Sequence, residues 1–268
     1  MMQSLRSRPL LGAATTAALA LGAALLPSTL PAPALAQESV PGTTPLTEPE
    51  REQFRAEVRA YLMEHPEVLL EAIQVLENRQ QEQAAEAEVS MIEQNAEAIF
   101  NDDHSWVGGN PEGDITLVEF MDYRCGYCRK AFEEVEELVE SDGNIRFVLK
   151  EFPILGEDSV AASRLAIATQ ITAGDEAYKT LHDALMTYSG GYDEVSATRL
   201  LSSLQIDPTP VLAELQSDEV NAVINANRAL AQQLQITGTP TFIMEDTMLR
   251  GYVPLQGMRS IVADLRQE

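Results

Sequence analysis

Cysteine is almost absent from this 268-residue chain: there are two, Cys125 and Cys128, and together they make one C-x-x-C. A disulfide-stapled scaffold is therefore excluded, and any sulfur chemistry is confined to one place. Basic residues are also scarce, 18 Lys and Arg against 42 Asp and Glu, which gives a formal charge of −24. That balance disfavours a sequence-independent grip on nucleic acid phosphates or on an anionic membrane, so no nucleic acid partner is expected. Aromatics are few, with seven Phe, seven Tyr and one Trp, although the hydrophobic fraction of 45% is ordinary. An aliphatic, helix-rich globular chain of one or two domains follows.

What is present first is a leader. Arg6 and Arg8 precede an uncharged Ala- and Leu-rich run, Leu10 to Leu26, and the small-residue end Ala34-Leu35-Ala36 follows. This order reads as a signal peptide over residues 1–36, cleaved after Ala36, rather than as a retained anchor. The protein is then expected in the periplasm, where disulfides persist. Residues 37–49, with Pro41, Pro45 and Pro49, read as a linker.

Residues 50–100 are rich in Glu, Gln, Ala and Leu, and predict an N-terminal arm of two helices. Phe54, Val58, Tyr61 and Leu62 share one helical spacing, and Leu69, Ile73 and Leu76 share another after Pro66. The stretch from Glu77 to Glu88 is too polar to form a core alone. It serves either as a solvated spacer or as a stalk in a homo-oligomer formed through residues 50–100. The turn residues Gly108 to Pro111 and Gly113 mark a change of character, and residues 101–268 read as an α/β domain. Its pattern is a strand over Ile115–Met121, a helix from Arg129, a strand over Ile145–Glu151 and then several helices. A hairpin over 241–244 and 248–252 and a terminal helix over Leu255–Leu265 complete it.

Cys125-Gly126-Tyr127-Cys128 falls where a buried strand gives way to a helix. Free N–H groups and the helix dipole stabilise a thiolate there, so Cys125 is the expected attacking sulfur and Cys128, one turn deeper, the resolving one. A zinc or copper site would call for further Cys or His, and His65, His104 and His182 are scattered. Haem attachment would call for His where Arg129 stands, and an inert disulfide closing so short a loop stabilises little. No metal and no cofactor is expected as a resident group. Glu119, inside Leu117-Val118-Glu119-Phe120-Met121, reads either as a buried proton relay for Cys128 or as an edge residue facing water. In Thr237-Gly238-Thr239-Pro240-Thr241 the proline stands at a strand entry, where a cis Thr239-Pro240 bond fits.

The segments LVEFMDYRCGYC, KEFPILG and TGTPTF, in this order and separated by helices, resemble the DsbA family of thioredoxin-fold disulfide-forming proteins over residues 107–268. The resemblance implies a redox-active pair with Cys125 as nucleophile and Cys128 as resolving thiol. It further implies Glu119 as buried acid, Pro240 as a cis-proline facing the pair, and a helical subdomain inserted over about 154–235. Thr239 and Pro240 would line the substrate groove. The implied partners are substrate proteins with thiols or disulfides and a membrane redox partner that resets the pair. Gly126-Tyr127 and Thr239 depart from the central oxidase of that family and resemble the disulfide isomerases of the DsbC and DsbG type. HPEVLLEAIQVLENRQ, within residues 61–80, resembles the N-terminal region of ScsC-like copper-sensitivity suppressors, some of which oligomerise. Disulfide oxidation, with isomerisation or reduction as its rival, follows from this, and Cu(I) binding by the reduced pair is the alternative.

Overall fold

The computed structural model describes residues 46–267, so the expected signal peptide and most of the expected linker lie outside the described residues. The chain divides into two compact units, the first ending at Glu64 and the second running on from His65. Within the described part of the first unit, α1 (Glu48–Glu64) has no buried residue and exposes Phe54, Val58, Tyr61 and Met63.

The second unit begins with α2 (Glu67–Gln94), which Pro66 starts and Asn95 ends, followed by the one-turn α3 (Ala96–Phe100). Residues 77–87 are exposed throughout, as their polarity requires. The C-terminal end of the region read as an arm behaves otherwise: Ile92 and Ile99 are buried against the sheet described next.

Five strands form that sheet in the order β1-β3-β2-β4-β5: β1 (Trp106–Gly109), β2 (Ile115–Met121), β3 (Ile145–Glu151), β4 (Thr241–Met244) and β5 (Thr247–Arg250). β2 and β3 run parallel, joined by α4 (Gly126–Asp142), and the other pairs are antiparallel. β2 lies at the centre with both faces covered, so its sequence is a nearly unbroken apolar run. One face, through Leu117, Met121, Phe147, Leu149 and Phe242, packs with the helices α4, α5 (Glu157–Ala173), α6 (Asp175–Thr187) and α10 (Leu255–Leu265). The other, through Val118, Phe120, Val148 and Ile243, packs under Ile92, Ile99 and the helix α9 (Asp218–Gln233).

Between β3 and β4 the chain inserts α5, α6, α7 (Glu194–Ser203), α8 (Pro208–Glu214) and α9. Side-chain caps start three of these: Asp193 on α7, Asp207 on α8 and Ser217 on α9. This is the thioredoxin fold with a helical insertion. β1 lies where the sequence reads as a turn. Its two glycines hide it, because Gly109 takes φ +65° and a Cβ there would collide with the Ile145 carbonyl. Among the described residues no helix is long and apolar enough to cross a membrane.

Candidate active site

Cys125 is the N-cap of α4 and retains extended backbone, φ −75° and ψ 118°, while Gly126 opens the helix. Both cysteines are free thiols here; Cys128 is fully buried and Cys125 retains 7% exposure. The Cys125 thiol is pulled down to about 5, first by the hydrogen bond from Cys128, and further by the Thr239 side chain and the backbone N–H groups of Cys128 and Tyr127, against the effect of burial. Burial pushes the Cys128 thiol up, and its hydrogen bond to Cys125 and the charge of Glu119 add to this. The two sulfurs are thus electrically unlike, the outer one poised as a thiolate and the inner one held as a thiol.

The adjacent cations are directed elsewhere. Arg129 donates from Nε to the Tyr123 carbonyl at 2.7 Å and from its guanidinium to the Tyr188 carbonyl at 2.6 Å. Lys130 Nζ stands 4.0 Å over the ring of Tyr252, and that ring also stacks on the exposed Tyr127.

Glu119 pairs with Leu149 on one side and Phe242 on the other, and is 3% exposed. The reading of Glu119 as an edge residue in water therefore does not hold: β2 is central, and its side chain faces the layer that holds α4. Its Oε1 has no hydrogen-bond partner among the described residues. Burial pushes its carboxyl up to about 8, with the Cys125 thiolate and Glu136 adding to the effect.

The third element of the site comes from the far end of the chain. The Thr239–Pro240 bond is cis, Pro240 is buried, and the Thr239 carbonyl accepts a hydrogen bond from Cys125 Sγ at 3.1 Å. Cys125, Cys128 and the Thr239–Pro240 turn are thus brought together, with Glu119 beneath them.

Two supporting groups escape sequence reasoning. Asp122, fully buried, accepts from the Arg124 amide at 2.7 Å and from the Ile154 and Leu155 amides at 2.8 and 3.1 Å. It thereby locks the turn before Cys125 to the Pro153–Gly156 loop. Glu151, at the end of β3, accepts from Tyr123 and Tyr178 hydroxyls at 2.8 Å each and from Ser163 Oγ at 2.6 Å. His182 Nδ1 lies 3.0 Å from the Tyr123 hydroxyl, and burial holds the imidazole down at about 3, hence neutral. The signal was there, since Lys150-Glu151 interrupts an apolar strand as Glu119 does. Lys150 turns to the other face, where its Nζ meets Asp102 and the Ala98 carbonyl.

A five-stranded thioredoxin core, a helical insertion and a C-x-x-C at a helix start beside a cis-proline define a DsbA-type protein. The chain belongs to the DSBA-like thioredoxin domain family, whose model matches residues 116–263. Residues 50–83 match the copper resistance protein ScsC N-terminal domain. A thioredoxin-like oxidoreductase from Silicibacter pomeroyi is 41% identical, with 65% of this chain and 99% of that one covered and a TM-score of 0.60. ScsC from Proteus mirabilis, in a transitional conformation, is 27% identical over 82% of this chain and 96% of its own, with a TM-score of 0.59. The Na(+)/H(+) antiporter NhaA 1 of Salinispora arenicola is 28% identical over 162 residues, 60% of this chain. The chain spans about a quarter of that relative's length, 24%.

Proposed function

We propose that this protein is an exported thiol:disulfide oxidoreductase that exchanges disulfides with substrate proteins in the periplasm. The observation that carries the reading is the unequal pair: Cys125 at the start of α4 with its thiol at about 5, above a buried Cys128 and a buried Glu119. A substrate thiolate attacks Cys125 Sγ of the oxidised pair. The Cys125–Cys128 bond breaks, and Cys128 leaves with the proton that Glu119, protonated below about pH 8, supplies. A second substrate thiolate then attacks the substrate sulfur of the mixed disulfide, and Cys125 departs as the stabilised thiolate. The substrate loses two electrons and the cysteine pair gains them, so a membrane redox partner must accept them to reset the site. An extended substrate segment would pair along the Thr239 backbone beside Pro240.

A thiolate this stable is a good leaving group, which favours disulfide donation and isomerisation over reduction. Isomerisation is served by several sites on one substrate. The exposed apolar side chains of α1 and, separately, Leu69, Ile73 and Leu76 of α2 support a homo-oligomer formed through this region. Light scattering on the mature chain and on a Leu69→Gln, Ile73→Gln, Leu76→Gln variant tests this; a monomeric mass for the unaltered chain ends it. Substitution is preferable to truncation at residue 101, which would uncover the sheet face that Ile92 and Ile99 cover.

The direct test of function is oxidation of a reduced, unfolded multi-cysteine protein, and refolding of a scrambled one, with Cys125→Ser as control. Oxidation that persists in Cys125→Ser would refute the assignment. Copper binding draws on the same two thiols, and retention of Cu(I) by the reduced protein with no thiol exchange would favour that reading.

A further inference from the structure

A cavity of about 630 Å3 lies beside the loop that Asp122 ties to the C-x-x-C turn. Ile154, Val160 and Ala161 give it an apolar wall, and Arg164 of α5 and Arg228 of α9 both line it. The acceptors of both guanidinium groups are neutral. Arg164 donates to the Leu215 carbonyl at 2.8 Å and to Asn221 Oδ1 at 2.6 Å, and Arg228 donates to the Pro153 carbonyl at 3.0 Å. Among the described residues neither has a carboxylate within 4 Å, including Glu157, the acidic side chain that lines the same cavity.

In a chain with 42 acidic residues against 18 basic ones, two cations without a counter-charge stand at one cavity, Arg164 held by two hydrogen bonds and the exposed Arg228 by one. Each retains N–H donors beyond those used in these bonds, and a guanidinium fork matches a carboxylate. The apolar wall suits the methylene groups of the side chain that bears it. Position supplies the rest: Ile154 lines the cavity, and its own amide is held by Asp122, three residues before Cys125.

We propose that this cavity is a specificity subsite that takes an acidic side chain of the substrate segment joined to Cys125, a few residues from the reacting cysteine. This rests on the reading of Cys125 as the sulfur that forms the mixed disulfide. The site gives recognition that the protein's overall field cannot, because a charge of −24 repels acidic chains at long range and only a local pair of cations can reward one that docks.

The test uses the oxidised mature protein and a series of single-cysteine peptides, apolar around the cysteine, with Glu or Gln placed in turn at two to six residues on either side. The rate of mixed-disulfide formation is measured for each. On one side only, at one or two positions, the Glu peptide should react about tenfold faster than its Gln counterpart. Arg228→Gln and Arg164→Gln should each reduce that ratio towards one while leaving the Gln peptide's rate within about twofold. The ratio is read within each variant, so a general loss of activity does not imitate the effect. Equal rates for Glu and Gln at every position would overturn the subsite. So would an advantage that is independent of position or survives both Arg substitutions. If no peptide reacts with the protein at all, it is the exchange function that fails.

Discussion

Cys125 Sγ lies 3.1 Å from the carbonyl oxygen of Thr239, a residue 114 positions further along the chain. That contact joins the sulfur proposed to react to the backbone proposed to pair with a substrate segment. The hydrogen bond from Cys128 has the largest effect in lowering the Cys125 thiol; the Thr239 side chain and the N–H groups of α4, not the Thr239 carbonyl, assist it.

Alkylation should read this directly. In the reduced protein, iodoacetamide should modify Cys125 with a rate that rises through a midpoint near pH 5, while Cys128 remains unmodified at neutral pH. Cys128→Ala should move the midpoint upward, because it removes the principal hydrogen bond. Lys130→Gln should leave it nearly unchanged, because Lys130 is occupied over Tyr252. A midpoint at about 8.5, that of a free thiol, would contradict the site electrostatics.

Glu119 should act with the opposite sign on stability. Its folded carboxyl stands at about 8 against the ordinary value of 4.5, so between those pH values the folded state holds a proton that the unfolded state has released. Stability is therefore lost as pH rises from about 4.5 to about 8. Comparing denaturant unfolding of the reduced protein with that of Glu119→Gln, the difference should move in favour of the variant by ~2–5 kcal/mol between pH 4.5 and pH 8.5. The same variant should exchange disulfides more slowly below pH 8, where the carboxyl is the proton donor. A stability difference that does not change with pH would show Glu119 to be ionised throughout.

The Glu151 cluster should reveal itself through Ser163. Burial raises Glu151 to about 7, and the bonds from Ser163, Tyr178 and Tyr123 restrain that rise. Ser163→Ala removes a donor that the ionised carboxylate needs more than the neutral acid does. It should therefore cost ~1–3 kcal/mol of folding stability at pH 8 and less at pH 4.5. A cost equal at both pH values would mean that the hydroxyl only fills space.

The features legible in the sequence were local irregularities in regular patterns. β2, β3 and α10 fall at Ile115–Met121, Ile145–Glu151 and Leu255–Leu265, where the apolar runs and helical spacing place them. The lone C-x-x-C and a carboxylate inside an apolar strand stand out in the same way. The partners of Glu151 do not, since Ser163, Tyr178 and Tyr123 lie 12, 27 and 28 residues from it and meet only when α5 and α6 pack on the sheet. β1 is not marked in the sequence because its strand character comes from pairing with β3, whereas its own residues include Gly108 and Gly109. Asp122 is not marked by its neighbours either, since its grip on the Ile154 and Leu155 amides spans 32 and 33 positions.

As a redox couple, Cys125 and Cys128 should have a reduced state stabilised by the Cys125 thiolate. Equilibrating the protein with mixtures of reduced and oxidised glutathione at pH 7, and quantifying the Cys125–Cys128 disulfide by alkylation and mass spectrometry, measures that stabilisation. Lowering one thiol from 9.0 to about 5 favours the reduced form by ~2–3 kcal/mol at pH 7, or roughly 40–65 mV, before Glu119 offsets part of it. The expected midpoint is more oxidising than about −230 mV, with the disulfide readily given up to substrate thiols. A midpoint at or below about −270 mV, in the range of reducing thioredoxins, would contradict it.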